Sequence, residues 1–137
     1  MAKTITTQIT IAAPVHEVWK VLMNTKDYPE WNPFVKELNG DLVEGKKITV
    51  ALPGMKFKPM VEVVHENKEF RWQGHLLFRG VFDGQHQFLL EAISDNQTLL
   101  THQEHFKGIL VPFMKKMLEG DTKSGFIAMN EALKAKV

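Results

Sequence analysis

The spacing of apolar residues changes once along this chain of 137 residues, and the change restricts the folds that it can adopt. From about residue 35 to residue 106, short runs rich in β-branched and aromatic residues alternate with turn signals, a pattern typical of antiparallel strands. The turn signals are Asn39-Gly40, Glu44-Gly45, Pro53-Gly54, Asn67-Lys68, Arg79-Gly80 and Asp95-Asn96. From Ile109 onward, apolar residues recur every three or four positions instead, which predicts a long amphipathic helix.

The predicted C-terminal helix carries one apolar stripe. Its members are Leu110, Phe113, Met114, Met117, Leu118, Ala128, Met129 and Ala132. Phe126 and Ile127 fall outside this stripe. Gly120 and Gly125 each weaken a helix by about 1 kcal/mol relative to Ala, so we expect a bend near the middle. A bend would turn Asp121 toward solvent, whereas a straight helix would turn it toward the interior, and the sequence leaves both positions open.

The first 34 residues predict one strand and a short helical region. Ile and Thr alternate up to Ile11, and Pro14 then ends the strand and suits the first turn of a helix. The apolar stripe of that helix contains Val15, Val18, Trp19 and Leu22. Two prolines within residues 28–34 allow one further helical turn at most. The elements together predict an α+β protein with one domain over residues 1–137.

The composition argues against several classes of function. Seventeen basic residues against sixteen acidic ones give a net charge of +1, without the basic excess that nucleic-acid binding requires. The chain has no cysteine, which excludes disulfides and thiolate metal sites and suits a reducing cytoplasm. No stretch approaches the roughly 20 apolar residues of a membrane-spanning helix. We expect a soluble, cytoplasmic protein without an integral membrane segment, and its oligomeric state is not indicated.

Turn lengths predict which residues face each other, because a slip of one residue swaps the two faces of a strand. We predict a two-residue turn at Asn67-Lys68 and three-residue turns at Arg79-Gly80-Val81 and Ser94-Asp95-Asn96. The resulting cross-strand pairs are Val63–Trp72, Trp72–Phe88, Leu76–Gly84, Gly74–His86, Phe88–His102 and His86–Glu104. One face of the sheet is then apolar and aromatic, with a polar cluster of His86, His102 and Glu104.

Two glycines on this predicted face bear on whether it encloses a cavity. Gly74 and Gly84 supply no side-chain volume beside bulky neighbours such as Trp72, which predicts unfilled space. The alternative is that the glycines mark bulges that curve the sheet without leaving a cavity.

Segments along nearly the whole chain resemble the START-like superfamily, also called SRPBCC or Bet v 1-like, and within it the polyketide cyclase/dehydrase-like branch. They are Ala13-Pro14, Val18-Trp19, Tyr28-Pro29-Glu30-Trp31-Asn32-Pro33-Phe34, His86-Gln87-Phe88-Leu89-Leu90-Glu91, Glu104-His105-Phe106-Lys107-Gly108, Gly125-Phe126 and Met129-Asn130-Glu131-Ala132-Leu133. The resemblance implies a helix-grip fold, in which a seven-stranded curved antiparallel sheet surrounds a long C-terminal helix, with two short helices between the first and second strands. It also implies a hydrophobic cavity.

The residues that we expect to contact a ligand lie on the inner face and at the cavity mouth. They are Trp31, Val63, Trp72, Gly74, Leu76, His86, Phe88, His102, Glu104, Phe113, Met114 and Met117. A carboxylate beside an imidazole favours the charged ring, so His86 with Glu104 could hold a ligand carbonyl or move a proton. The alternatives are a buried pair that only satisfies itself, or a metal site completed by His102. We expect neither a metal nor a cofactor.

Three functions follow from these expectations. The leading hypothesis is a carrier or sequestering protein for a small hydrophobic molecule that is lipid-, quinone- or polyketide-like. Under this hypothesis we expect that the protein is not an enzyme. The alternative is a cyclase or dehydratase in which His86, supported by Glu104, is the general base. The third is a module that assists a chaperone or a complex, since members of the resembled family do so and a shared fold does not decide function.

Overall fold

The computed structural model describes residues 2–76 and 78–137. Its strands are β1 (Ala2–Ile11), β2 (Glu37–Asn39), β3 (Thr49–Leu52), β4 (Met55–Phe57), β5 (Met60–His65), β6 (Glu69–Leu76), β7 (Phe82–Ser94) and β8 (Gln97–Lys107). Its helices are α1 (Val15–Met23), a 3-10 turn (Thr25–Asp27), α2 (Tyr28–Trp31), α3 (Val111–Met117), a π turn (Leu118–Thr122) and α4 (Lys123–Lys136). The fold is α+β, with an antiparallel curved sheet against a long C-terminal helix, as in a helix-grip fold.

The strands form two sheets, which corrects the expectation of seven strands in one sheet. The described residues contain eight strands, five in the order β1-β8-β7-β6-β5 and three in the order β2-β3-β4. An isolated bridge between Lys47 and Met60, with backbone hydrogen bonds on either side of it, connects the segment before β3 to β5. Pro59 beside this bridge has no N–H to donate, so regular pairing stops there.

The predicted pairing of Val63 with Trp72 is wrong. Val63 lies opposite Arg71, and a bulge between Val61 and Val63 then sets Val61 opposite Trp72. The connecting turn is also one residue longer than predicted, with Asn67 in the left-handed region at φ 64°. Because the turn adds one residue, Val63 leaves the inner face that it was expected to share with Trp72, and the bulge keeps Val61 on that face.

The pairing of β6 with β7 differs from the prediction by two residues, which leaves the faces unchanged. Trp72 lies opposite His86 and Gly74 opposite Gly84, because the connection between the strands spans five residues rather than three. Leu77 in this connection lies outside the described residues. The predicted pairing of β7 with β8 is confirmed, with His86 opposite Glu104. A bulge between residues 92 and 94 shortens the final turn to two residues.

The π turn changes which side of the C-terminal helix is buried. The buried residues of the helix are Val111, Leu118, Phe126, Met129, Asn130 and Leu133. The prediction that Phe126 falls outside the apolar stripe is wrong, since its side chain is 0% exposed. Phe113, expected on the stripe, is 82% exposed. A π turn has one residue more than an α-helical turn, so every later position is shifted by about one residue around the helix.

The core lies between the inner face of the five-stranded sheet and α4. The largest side chains with no more than 1% exposure are Trp72, Tyr28, Phe70, Phe88 and Phe126. The Tyr28 hydroxyl donates to the Leu22 carbonyl at the end of α1, and burial raises the pKa of this phenol. Within residues 2–76 and 78–137, no helix has the length and apolar character needed to cross a membrane.

Candidate functional site

A cavity of about 390 Å³ lies between the curved sheet and the C-terminal helix. It is bounded by the β3–β4 hairpin, the adjoining ends of β6, β7 and β8, and the segment from Met117 to Gly125. Its lining is Pro33, Phe34, Leu52, Pro53, Met55, Phe57, Gly74, His75, Leu76, Phe82, Gly84, Glu104, Phe106, Met117, Leu118, Asp121, Thr122 and Gly125. The lining is mostly apolar, and the volume falls within the usual range of small-molecule sites.

Three glycines let bulky neighbours lie directly against the backbone of the cavity wall. A Cβ on Gly84 would overlap the Glu104 carboxyl group, and one on Gly125 would overlap the Phe34 ring. A Cβ on Gly74 would lie 3.0 Å from the Phe57 ring. The space that the sequence attributed to Gly74 and Gly84 is therefore partly filled by Phe57 and Glu104.

A chain of hydrogen bonds leads from the cavity wall into the core. Glu104 Oε1 lies 2.9 Å from His86 Nδ1, and His86 Nε2 lies 2.7 Å from His102 Nε2. His102 Nδ1 lies 2.8 Å from Asn130 Oδ1. The Asn130 amide donates to Thr7 Oγ1 at 2.8 Å, and Thr7 donates to the His102 carbonyl at 2.9 Å. Three strands and α4 therefore contribute to a single polar network.

The inner end of this network determines where the imidazole protons lie. The Thr7 hydroxyl proton is used on a carbonyl, so Thr7 accepts from the Asn130 amide and leaves the Asn130 oxygen to accept from His102 Nδ1–H. Burial and the charge of protonated His86 lower the pKa of His102 more strongly than its hydrogen bonds to Asn130 and the Phe126 backbone raise it. His102 is therefore neutral, and its bare Nε2 accepts from His86 Nε2–H.

One proton remains for the contact between His86 and Glu104. His86 already carries a proton on Nε2, so the proton between Nδ1 and Oε1 belongs either to a charged imidazole or to a neutral carboxyl group. Trp72 stacks on the His86 ring with 4.6 Å between the ring centroids and 15° between the ring planes. Phe34 is also stacked on His86, with 6.3 Å between the centroids and 23° between the planes. Aromatic side chains rather than water therefore surround the His86 ring, which is 2% exposed.

The structure places four of the predicted ligand-contacting residues in the cavity lining. They are Gly74, Leu76, Glu104 and Met117. Asp121, whose position the sequence left open, lies on the π turn at the cavity mouth and is exposed. The β3–β4 loop flanks the mouth through residues 52, 53 and 55.

The remaining eight lie elsewhere, which corrects the expectation of one shared cavity surface. Trp72, His86, Phe88 and His102 are buried behind the lining, because their rings pack on one another and on Phe126. Met114 packs against the core, Phe113 points to solvent, and Val63 shares the Arg71 face. Trp31 lines a separate pocket of about 230 Å³ beside α1.

Sequence reasoning missed two members of the network, Thr7 and Asn130. Thr7 alternates with Ile5 and Ile9 on β1, and this period of two places all three on one face. Asn130 follows Met129, which the sequence placed on the apolar stripe. A polar residue beside a buried stripe is only a weak indication that its side chain points inward. The π turn determines which positions of α4 face the core, and Asn130 is one of them.

The two histidines do not form a metal site together with Glu104. Their Nε2 atoms are hydrogen-bonded to each other, and their Nδ1 atoms contact Asn130 and Glu104. Across the described ranges 2–76 and 78–137, no group of three or more His, Asp or Glu side chains is arranged around a common point.

The low pKa of His102 makes stability depend on pH. Below the ordinary histidine pKa of about 6.5, the unfolded chain binds a proton that folded His102 does not, so the free energy of unfolding falls as pH falls. Above about pH 7.5 neither state binds it and the effect disappears. At about pH 5.5 the expected loss from His102 is about 1.4 kcal/mol. Urea unfolding at these two pH values measures it.

His102→Gln is the control for this prediction, because glutamine does not titrate. The variant will be less stable at both pH values, but it should lose this part of the pH dependence. An equal pH dependence in the variant and the wild type would contradict a neutral His102.

Comparison with known proteins gives the family. Residues 2–137 match the family described as polyketide cyclase / dehydrase and lipid transport. No curated protein sequence matches the chain. A START superfamily protein from Mycobacterium smegmatis is 20% identical with a TM-score of 0.73, covering 98% of this chain and 96% of that chain.

Two enzymes share the fold. An aromatase/cyclase from Streptomyces sp. R1128 is 15% identical with a TM-score of 0.76, covering 99% of this chain and 93% of that chain. Norcoclaurine synthase from Thalictrum flavum, in complex with dopamine and hydroxybenzaldehyde, is 15% identical with a TM-score of 0.75, covering 98% of this chain and 86% of that chain. At these identities the structures show a common architecture. With the match over residues 2–137, the chain belongs to the family described as polyketide cyclase / dehydrase and lipid transport.

Proposed function

We propose that this protein binds and carries, or sequesters, a small hydrophobic molecule in the cavity of about 390 Å³. The observation that carries the proposal is a mostly apolar lining that includes the Glu104 carboxyl group, which is hydrogen-bonded to the buried His86. Apolar burial supplies affinity at about 25 cal/mol per Å², and a single polar group fixes the orientation of the ligand. The lipid-transport part of the family description supports the proposal.

The residues that we propose to contact the ligand come from three sides of the cavity. They are Phe34, Phe57, Leu76, Phe82, Glu104, Phe106, Met117, Leu118 and Thr122. Met55 and Met117 are 39% and 41% exposed at the mouth, where flexible thioether side chains adapt to different ligand shapes. His86 acts through Glu104 and does not itself line the cavity.

A bulky side chain in the cavity should block binding. In Thr122→Trp the indole would occupy space that lies inside the cavity, so we expect at least a tenfold loss of affinity for N-phenyl-1-naphthylamine, a neutral fluorescent probe. Ser124→Trp is the matched control, since Ser124 is exposed and outside the lining. Native mass spectrometry of the purified wild type should also detect a retained small molecule. Equal probe affinity in both variants would contradict the proposed cavity.

A second candidate is a cyclase or dehydratase, favoured by the single proton shared between His86 and Glu104. The geometry changes the roles in this hypothesis, because Glu104 faces the cavity while His86 Nε2 is bonded to His102. Glu104 would therefore be the general base, with His86 as its positioning residue. The cyclase description of the family supports this candidate. Glu104→Gln separates the two functions, since an enzyme would keep ligand binding and lose turnover, whereas a carrier has no turnover to lose.

A further inference from the structure

The Glu104 carboxyl group presents one oxygen to the cavity. Oε1 is bonded to His86 Nδ1, whereas Oε2 lies against Gly84, where both residues line the cavity. Among the described residues, no side chain or backbone N–H donates a hydrogen bond to Oε2. The Glu104 side chain is 14% exposed, so this oxygen is available to a ligand but has little contact with bulk water.

The hydrogen-bond network makes Oε2 an acceptor in both proton arrangements of the pair. When His86 is charged, Glu104 is a carboxylate and both of its oxygens accept. When Glu104 is neutral, its proton lies on Oε1 and points at His86 Nδ1, so Oε2 is still an acceptor. Moving that proton to Oε2 would leave two acceptors facing each other at 2.9 Å, which is unfavourable.

The charges around the cavity act in the same direction. The titratable groups in the lining are Glu104, Asp121 and His75, and His75 is bonded to Asp83 at 2.7 Å. Within the described part of the chain, neither Lys nor Arg lines the cavity. A ligand carboxylate would therefore meet acceptors and negative charge without a Lys or Arg partner among the described residues.

We propose that the cavity selects neutral ligands with a hydroxyl group, a phenol or an alcohol, whose O–H donates to Glu104 Oε2, and that it disfavours carboxylates. The inference rests on the proposed ligand-binding function and names the ligand class for the same site. An apolar ligand without a donor would leave Oε2 unpaired when it displaces water, which costs about 10- to 100-fold in affinity.

Three ligands of one shape test this inference: 1-naphthol, 1-methoxynaphthalene and 1-naphthoate. Their affinities at neutral pH follow from displacement of N-phenyl-1-naphthylamine. We expect 1-naphthol to bind about 10-fold or more tighter than its methyl ether, and 1-naphthoate to bind weakest. Equal affinities for all three would overturn the inference and leave the carrier function standing. If neither the probe nor any of the three bound, the carrier function itself would fail.

Two Glu104 variants attribute the preference to Oε2. In Glu104→Gln, the amide can donate to His86 Nδ1 and turn its carbonyl oxygen to the cavity, so the preference for 1-naphthol should persist. In Glu104→Met the acceptor is gone and the hydroxyl and ether ligands should bind within about threefold of each other. Persistence of the full preference in the methionine variant would overturn the inference. The wild-type ligand series tests it independently of whether either variant folds.

Discussion

Replacing Phe126 with Ala should lower the free energy of unfolding by about 3–5 kcal/mol, the largest effect expected in this protein. The Phe126 side chain is 0% exposed. Its ring centroid lies 4.3 Å from that of His102, 5.1 Å from that of His86 and 5.3 Å from that of Phe34. Truncation would remove these contacts and open a cavity beneath the buried network. Phe113→Ala on the same helix should change stability by no more than about 0.5 kcal/mol, because that ring is 82% exposed.

Urea unfolding of the two alanine variants beside the wild type measures both changes. Both variants replace Phe with Ala in the C-terminal helical segment. The difference between their free energies of unfolding therefore reports the effect of burial. A straight α-helix with the apolar stripe read from the sequence would give the reverse order, with Phe113 as the costly position. That reverse order would contradict the burial of Phe126 and the exposure of Phe113.

Asn130→Leu should destabilise the protein by about 1–3 kcal/mol. It should also allow His102 to change its tautomer. Leucine is similar in size to asparagine but apolar, so it removes the acceptor for His102 Nδ1–H and the donor to Thr7. His102 could then carry its proton on Nε2, where it would oppose the proton on His86 Nε2. The contact between the two rings would lose its hydrogen bond, and the effect would reach Glu104 through His86.

Nitrogen-15 NMR of the imidazole rings follows this change directly. In the wild type we expect the protons on His102 Nδ1 and His86 Nε2, and in Asn130→Leu an altered pattern at both rings. Glu131→Leu is the control, because its exposed neighbouring position should affect neither the tautomers nor the stability beyond about 0.5 kcal/mol. An unchanged imidazole pattern in Asn130→Leu would show that Asn130 does not set the tautomer.

The sequence predicted the features that depend on short-range patterns. The change of period near residue 109 indicated strands followed by a helix, and the turn before β8 indicated His86 opposite Glu104. That pairing is as predicted although the turn has two residues rather than three, because the bulge between residues 92 and 94 restores the register. The placement of Val63 failed because the turn before β6 has three residues rather than two, which sets Val63 opposite Arg71 instead of Trp72.

The site was less predictable because it depends on contacts between distant parts of the chain. Thr7 and Asn130 are 123 residues apart, and neither turn lengths nor periodicity relate them. The position of Phe126 depends on the π turn, which shifts the inward side of the helix by one residue. The inner rings then pack so closely that Trp72 and Phe88 lie behind the cavity lining rather than in it.

The π turn divides the C-terminal helix into two parts with separate partners. The part before and within it, Met117–Thr122, borders the cavity, whereas α4 after Gly125 fills the core with Phe126, Met129 and Leu133. Substitutions in the first part can reshape the cavity without disturbing the packing that the second part provides. Paralogous chains could therefore diverge in what they hold by changing a single helical turn, while the scaffold that supports it stays the same.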